Sequence, residues 1–236
     1  MSRVIVMAIF LAGFSNVAAD DYTEVRDLII DAGDLDELLV FAGPGSLDVS
    51  GVDGLERVEV KATIVIPDAD EDDGKAIVAK DLTLSLEQDG EAAVLTSDFD
   101  QSFWGGNSNG RIDLEVRAPH AIAVTIDDGS GSMDVSNFSS EVEIDDGSGS
   151  IDVRNVGSLH IEDGSGSIDV VGATGDVTID DGSGGITVNE VGGSVIIDDG
   201  SGGIRVSDVA KDLIILEDGS GGVSFSDVRG TVKEDG

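Results

Sequence analysis

The chain has 236 residues, of which 40% are hydrophobic and none is cysteine. It carries 49 acidic residues against 13 basic ones, a formal net charge of −36 at pH 7. The lack of cysteine excludes disulfides, thiol catalysis and a lipid-modified amino-terminal cysteine. The acidity argues against nucleic acid and anionic membrane surfaces as partners, because phosphates require lysine and arginine. It is compatible with divalent cations, a basic partner or simple solubility in a salty medium.

The first element in the chain has the features of a secretory signal peptide. Arg3 precedes an apolar stretch, Val4–Phe14, and Val17–Ala19 supplies the small residues typical of a signal peptidase site. The apolar stretch is too short for a comfortable membrane span, and no later segment qualifies as one. We therefore predict that residues 1–19 are a signal peptide and that the protein is exported. It would be periplasmic, at the cell surface or secreted, with a mature chain beginning at Asp20.

Residues 20–121 are predicted to form an irregular β region in which a repeat architecture begins. Gly45–Val60 fits the repeat pattern that dominates the rest of the chain, and Lys61–His120 is either an excursion or a set of longer rungs. The local patterns within this excursion predict an acidic loop at Asp68–Gly74, one helical turn at Lys75–Lys80, a hairpin of Leu82–Glu87 with Ala92–Ser97, a tryptophan-bearing loop at Gln101–Gly110 and a strand at Arg111–Arg117.

Residues 122–236 repeat one pattern with a period of about 18 residues. An Asp-Gly pair recurs at Asp128, Asp146, Asp163, Asp181, Asp199, Asp218 and Asp235. Each copy also holds pairs of mostly β-branched residues at a spacing of two, which is typical of strands. One copy cannot bury its apolar residues alone, but stacking of like on like makes a continuous core. The sequence therefore predicts an all-β fold, a β-solenoid of stacked rungs with short parallel strands.

Alignment of the copies predicts five apolar columns that run along the stack. They begin at Met133, Val135, Phe138, Val142 and Ile144 and end at Val223, Phe225, Val228, Ile214 and Leu216. One copy is a residue short at Gly157–Ser158, and another is a residue long at Ala210–Leu213. The predicted length variation is therefore confined to one corner of the coil.

Polar columns provide the candidate functional residues. One outward column of carboxylates comprises Asp127, Asp145, Glu162, Asp180, Asp198 and Glu217. Beside it runs a second, comprising Asp128, Asp146, Asp163, Asp181, Asp199 and Asp218. Oxygen-rich acidic surfaces suit hard cations such as Ca²⁺, so the second column supplies the candidate metal ligands. In the alternative interpretation, each second aspartate caps its own turn and the first column is a solvated face.

A further outward column becomes apolar towards the carboxyl terminus. It comprises Glu143, His160, Thr178, Ile196 and Ile215. Exposed apolar residues in one patch are typical of an interaction surface. We therefore expect a partner or a second copy of the chain to cover Ile196 and Ile215.

No constellation of residues indicates catalysis. His120 and His160 have no nucleophile at a recognisable spacing. The Gly-Ser-Gly-Gly turns lack the lysine of a phosphate-binding loop. Asp68–Asp72 begins like a calcium loop, but Asp73 and Ala79 occupy its glycine and glutamate positions. We therefore predict that the protein is not an enzyme and needs no cofactor, with calcium as the one ion to consider.

The layout resembles the bacterial putative-adhesin family of β-strand repeat proteins, a domain of unknown function. The residues that carry the resemblance are the signal peptide, Leu38–Val40, Gly45–Val49, Arg111–Ile126 and the Gly-Ser-Gly-x-Ile-x-Val rungs. The resemblance covers nearly the whole mature chain and implies an adhesin-like role. The chain departs from the family in the Asp-Asp pair before most turns.

Taken together, these patterns predict an exported, acidic, non-catalytic β-solenoid that serves as a structural and interaction module of the cell surface or periplasm. Its partner would be an unidentified surface protein or polysaccharide. A calcium-binding solenoid is the first alternative and a glycan-active enzyme the second. The basic residues that an acidic glycan would need are scarce in the repeats, which weighs against the enzyme.

Overall fold

The computed structural model describes residues 21–99 and 110–234. The predicted signal peptide and most of the predicted tryptophan-bearing loop lie outside the described residues. In chain order the elements are β1 (Tyr22–Asp31), β2 (Glu37–Ala42), β3 (Gly45–Val52), β4 (Arg57–Ile66), α1 (Glu71–Asp81), β5 (Leu82–Asp89), β6 (Ala92–Phe99), β7 (Arg111–Pro119), β8 (Ala123–Asp128), β9 (Gly131–Ser136), β10 (Val142–Asp146), β11 (Gly149–Val156), β12 (Leu159–Asp163), β13 (Gly166–Ala173), β14 (Val177–Asp181), β15 (Gly184–Val191), β16 (Val195–Asp199), β17 (Gly202–Val209), β18 (Leu213–Glu217), β19 (Val223–Val228) and β20 (Val232–Glu234).

Each repeat contributes one strand to each of two ten-stranded sheets. The first sheet has the order β1-β4-β7-β3-β9-β11-β13-β15-β17-β19, and the second β20-β18-β16-β14-β12-β10-β8-β2-β6-β5. From β8 onward, successive strands in each sheet pair in parallel. The predicted β-solenoid is confirmed.

The apolar columns stack in register and form the core. Ile151 pairs with Met133 below and Ile168 above, and Val153 pairs with Val135 and Val170. Buried residues of both sheets belong to one continuous hydrophobic core, and Val188 in mid-stack has no exposed surface. The period-two alternation places apolar side chains inward because successive residues of a strand point to opposite faces.

The prediction for the last complete rung is wrong by one residue. Val195 pairs with Leu213 and Ile197 with Ile215, after which the register shifts and Asp198 pairs with Glu217. The extra residue is therefore a β-bulge at Leu216, not an insertion at Ala210–Leu213. Leu213 and Ile215 are buried and take the column positions predicted for Ile214 and Leu216.

The corner at Ala210–Leu213 keeps its usual length because hydrogen bonds from rung to rung hold it. The Ala210 amide donates to the Val191 carbonyl, as the Gly192 amide below it donates to Ala173. An inserted residue in this corner would break that ladder, whereas a bulge near a strand end displaces one side chain. The predicted deletion at Gly157–Ser158 does lie in the corner, since Val156 and Leu159 both keep their column positions.

Spatial order and chain order differ in the first part of the protein. The rung formed by β2 and β3 pairs in parallel with β8 and β9 on one side and with β6 and β7 on the other. Strand β4 then adds antiparallel to β7, β1 adds antiparallel to β4, and β5 adds antiparallel to β6. The predicted excursion is thus one more rung together with antiparallel strands that close this end of the stack. The predicted hairpin is confirmed as β5–β6.

The predicted acidic loop is wrong from residue 71 onward, because α1 begins there and runs for 11 residues. The Asp70 carboxylate accepts hydrogen bonds from the amides of Asp72, at 3.0 Å, and Asp73, at 2.9 Å. An aspartate at this position supplies a helix cap, and acidic residues in the first turn favour the helix dipole. The spacing that suggested a calcium loop is therefore that of a helix start.

Candidate functional site

The candidate site is the corner of the solenoid where each Asp-Asp-Gly-Ser-Gly turn joins the second sheet to the first. Two columns of carboxylates meet there. The outer column stacks in register as Asp127, Asp145, Glu162, Asp180, Asp198 and Glu217. The inner column stacks as Asp128, Asp146, Asp163, Asp181 and Asp199.

The two columns have opposite environments. Asp127 and its outer-column equivalents face solvent, whereas the exposed fraction of the five inner-column side chains lies between 0%, at Asp199, and 5%, at Asp163. The expectation of two neighbouring columns on an acidic surface is therefore met only by the outer one. The sixth candidate, Asp218, lies beyond the end of β18 and is partly exposed, so it does not complete the inner column.

The corner turn accounts for one oxygen of several inner-column aspartates. The Ser165 amide donates to Asp163 Oδ1 at 3.1 Å, the Ser183 amide to Asp181 Oδ1 at 3.0 Å, and the Ser201 amide to Asp199 Oδ1 at 2.9 Å. These are turns in which an aspartate bonds the backbone two residues on. The turn-capping interpretation is correct for these three rungs.

The glycine that follows this turn lets the backbones of successive rungs approach closely. A Cβ atom on Gly166 would lie 1.5 Å from the Gly149 carbonyl oxygen. Gly166 also has a φ of +152°, a conformation that side chains rarely adopt. The column of glycines at this position thus leaves only enough room for backbone beside the inner aspartates.

Six of the other inner-column oxygens are buried and have no hydrogen-bond partner. They are Asp128 Oδ1, both carboxylate oxygens of Asp146, and Oδ2 of Asp163, Asp181 and Asp199. An unpaired buried carboxylate is costly when charged, and the usual response is a shift towards the neutral form. The geometry therefore favours neutral carboxyl groups at this corner.

Burial is the main cause of a raised pKa along the inner column. Together with the neighbouring Asp146 carboxylate, the next cause, it raises the pKa of Asp128 to about 7. It likewise raises the pKa of Asp146 and of Asp181 to about 6, with Asp163 as the next contribution to both. The pKa values of Asp163 and Asp199 are raised in the same way, while the turn amides act in the opposite direction.

The inner column is a row, not a coordination cage. Among residues 21–99 and 110–234, no group of three or more histidine, aspartate or glutamate side chains is arranged to hold a metal ion. The carboxylates that act on each of Asp128, Asp146 and Asp181 are inner aspartates of adjacent rungs and the outer-column carboxylate beside it in its own strand. Calcium binding by Asp128, Asp146, Asp163, Asp181, Asp199 and Asp218 stays a prediction.

Sequence reasoning missed a carboxylate column on the outer face of the first sheet. It runs in register through Glu115, Asp48, Asp134, Asp152 and Asp169. Burial, then Asp134 and Glu115, raise the pKa of Asp48. The signal was present as the residue between the first two apolar columns, which is aspartate in three successive copies, at Asp134, Asp152 and Asp169.

A groove at the opposite corner carries further acidic residues. Glu190, Asp208 and Asp227 occupy equivalent positions with φ between 54° and 61°, and they line an open groove of about 690 Å³ with Arg229. The sequence signal for these residues is weak, because Gly172 takes the equivalent position in an earlier rung. The feature that these positions share is therefore the backbone conformation of the turn, and not a repeated carboxylate.

His120 contacts a loop aspartate, whereas His160 contacts Glu162 of the outer carboxylate column. His120 Nδ1 is 3.7 Å from Asp53 Oδ1, and His160 Nε2 is 3.3 Å from Glu162 Oε1. Ile196 pairs with Ile214 on the outer face, whereas Ile215 is buried. The predicted Ile196/Ile215 surface is therefore wrong in its second member, because the bulge at Leu216 leaves the register of Ile214 and Ile215 unshifted.

No family model matches the chain, and no curated protein matches it. Solved structures of similar fold include a putative cell adhesion protein from Clostridium sporogenes, with 15% identity over 90% of this chain and 98% of that one and a TM-score of 0.36. A putative adhesin from Bacteroides fragilis has 14% identity over 90% and 97%, with a TM-score of 0.42. A putative lipid binding protein from Parabacteroides distasonis has 13% identity over 93% and 96%, with a TM-score of 0.38. The first two descriptions agree with the family that the sequence resembles, but similarity of this degree assigns no activity.

Proposed function

We propose that the protein is an exported, non-catalytic interaction module of the cell surface or periplasm that presents flat acidic faces to a basic partner. The observation that carries this proposal is the in-register stacking of outward carboxylates on both sheets. On the first sheet the column from Glu115 to Asp169 crosses from the irregular region into the regular rungs. The resemblance to the putative-adhesin family supports the same kind of role.

The charge of these faces is only locally balanced. Arg154 contacts Asp134 at 3.2 Å and Asp152 at 2.8 Å, and Lys61 contacts Glu115 at 2.6 Å. Against a net charge of −36, these contacts leave a strongly negative field around the solenoid. Such a field raises the encounter rate of positively charged partners and weakens with salt.

An oligolysine peptide is the probe that tests the acidic faces. The variant carrying Asp134→Asn and Asp169→Asn removes two charges from one column and should weaken peptide binding several-fold, with a shallower salt dependence. The matched control carries Asp34→Asn and Asp53→Asn, two exposed loop residues outside the columns. Equal weakening by both variants would show that binding depends on overall charge and not on the column. Tighter binding of a neutral polysaccharide than of oligolysine would contradict the proposal.

Export is the second part of the proposal, and it depends on the Arg3, Val4–Phe14 and Val17–Ala19 pattern. No helix among the described residues is long and apolar enough to cross a bilayer. Intact-mass measurement on protein from a cell fractionation should give a chain that begins at Asp20, outside the cytoplasm. A soluble cytoplasmic chain that retains residues 1–19 would contradict export.

Calcium binding at the inner column is the second candidate function, favoured by its buried oxygens without partners. Oxygen ligands in excess are what calcium requires. Calorimetry should then show stoichiometric heat with calcium and little with magnesium at equal ionic strength. Variants Asp181→Asn and Asp199→Asn should remove part of that heat. An identical response to calcium, magnesium and sodium chloride would leave only diffuse screening.

A further inference from the structure

We propose that an uncharged patch on the outer face of the second sheet receives an apolar side chain that the basic partner carries between lysine or arginine residues. The patch spans β6, β2 and β8 and is called the Phe41 patch below. It consists of Leu39, Phe41, Val94, Thr96 and Thr125. The inference rests on the proposed function and deepens it, because it gives the place and the kind of side chain by which the partner is recognised.

Strand alternation turns the Phe41 patch outward. Leu38 and Val40 are buried in the core, so Leu39 and Phe41 point to the opposite face of β2. Phe41 is 44% exposed. The residues that pair with these two from the strands on either side also lie on the outer face, and they are Val94, Thr96, Thr125 and Asp127.

Two rows of paired residues cross the Phe41 patch and run into carboxylates. The row through Phe41 comprises Ser85, Thr96, Phe41, Asp127 and Asp145. The row through Leu39 comprises Glu87, Val94, Leu39, Thr125 and Glu143. Phe41 therefore holds the position of the next side chain beyond Asp127 in the outer carboxylate column.

The grouping of apolar side chains distinguishes the Phe41 patch from an ordinary surface. A single exposed apolar residue is normal and indicates no partner. Here Phe41 and Leu39 share one face of β2, and Val94 lies beside Leu39 in a strand about 4.8 Å away. Protein interfaces typically surround such an apolar centre with a charged rim, and aromatic residues at the centre often dominate the binding energy.

The charges around the Phe41 patch select the chemistry of the partner. Strands β5, β6, β2, β8 and β10 contain no lysine or arginine, whereas Glu87, Asp127 and Glu143 lie at the rim. A second copy of the chain, placed face to face, would bring these carboxylates against one another, and each copy carries a net charge of −36. Like charges facing each other across an interface suppress binding. A partner with basic residues on both sides of an apolar one avoids this repulsion and buries the centre.

The experiment measures the affinity of the whole chain for two peptides of equal length and charge by calorimetry. One peptide has phenylalanine between lysines, and the other has serine at that position. We expect wild type to bind the phenylalanine peptide roughly five-fold more tightly. Phe41→Thr keeps a residue that favours strands and should bind both peptides equally. The matched control, Ile29→Thr, removes a side chain of similar exposure, 43%, from the first sheet and should keep the preference.

The two peptides separate the inference from the proposed function. Binding of the serine peptide tests the acidic faces, whereas the preference for phenylalanine tests the Phe41 patch. Equal affinity of wild type for both peptides would overturn the inference and leave the acidic faces in place. A preference that Phe41→Thr retains, or that Ile29→Thr also loses, would do the same. A chain that binds neither peptide would overturn both.

A second copy of the chain is the competing occupant of the Phe41 patch. Sedimentation velocity should give the same mass for wild type and Phe41→Thr. A wild-type dimer that Phe41→Thr abolishes would overturn the inference, because the chain itself would then cover the patch. If Phe41→Thr does not fold, amide chemical shifts of the wild-type protein decide the question. The phenylalanine peptide should shift the amides of Leu39, Phe41 and Val94 more than the serine peptide does, and equal shifts would overturn the inference.

Discussion

The antiparallel end of the stack and its regular rungs differ in how they place charged side chains relative to one another. Residues 21–119 contain seven of the 13 basic residues, and antiparallel pairing lets unlike charges face each other. Arg117 faces Glu59 with a contact of 2.9 Å, and Lys61 faces Glu115. In the rungs, in-register parallel stacking places each residue beside its equivalent in the next copy. Apolar residues therefore pack against apolar residues, whereas carboxylates lie beside carboxylates and repel each other.

The two ends of the stack also differ in how far their strands cover the hydrophobic core. At the amino-terminal end, β4, β1 and β5 extend the sheets beyond the last parallel rung. At the other end, β19 and β20 are the edge strands, and Phe225 is 46% exposed although Val206 in the same column is 1% exposed. A residue in this column therefore contributes less to stability in the exposed edge strand than in a buried rung.

The largest effect is expected where a rung's core column is broken. Val188→Asp places a carboxylate without a partner in mid-stack and should lower the free energy of unfolding by about 4 kcal/mol. Thr187→Asp changes the preceding, outward residue and should be nearly silent. Circular dichroism melts and urea titrations measure both. Equal damage from the two variants would contradict the column assignment.

The glycine column should be almost as sensitive. Gly166→Ala would place Cβ 1.5 Å from the Gly149 carbonyl oxygen, in addition to an unfavourable φ of +152°, and should cost about 3 kcal/mol. Gly185→Ala is the control, because nothing lies within 4 Å of its Cβ position. The same melts compare the variants. A stable Gly166→Ala protein would show that the rungs can separate at this corner.

The open end of the stack should tolerate a larger truncation than the middle. Val206→Ala removes two buried methyl groups and should cost about 2 kcal/mol. Phe225→Ala removes more atoms but from a half-exposed position, and should cost only about 1 kcal/mol. Urea titration gives both values. A greater cost for Phe225→Ala would mean that something covers this end in solution.

The smallest effect is expected at the antiparallel end. A double-mutant cycle on Glu59 and Arg117, using Glu59→Gln and Arg117→Met, should give a coupling of about 0.5 kcal/mol, because the arginine is about half exposed. Added salt should reduce this coupling. A coupling that persists at high salt would show that the pair acts through packing instead of charge.

The regular rungs were predictable because each position is repeated. One apolar column occurs five times, as Met133, Ile151, Ile168, Ile186 and Ile204. The strand period and the inward face therefore follow from the sequence without ambiguity. The turn-capping aspartates were predictable for the same reason. The fold class and the positions of both carboxylate columns at the corner come from this repetition.

Three features were decided only by the tertiary structure. Leu213–Leu216 is a run of apolar residues, so the sequence fits either register, and the hydrogen bonds at Ala210 and Lys211 select the one with a bulge. The rung of β6 and β7 lies on the far side of β2 and β3, because pairing between distant strands leaves no local pattern. The burial of Asp128 and its equivalents depends on the glycine column beside them, which lets backbones approach until solvent is excluded from the corner.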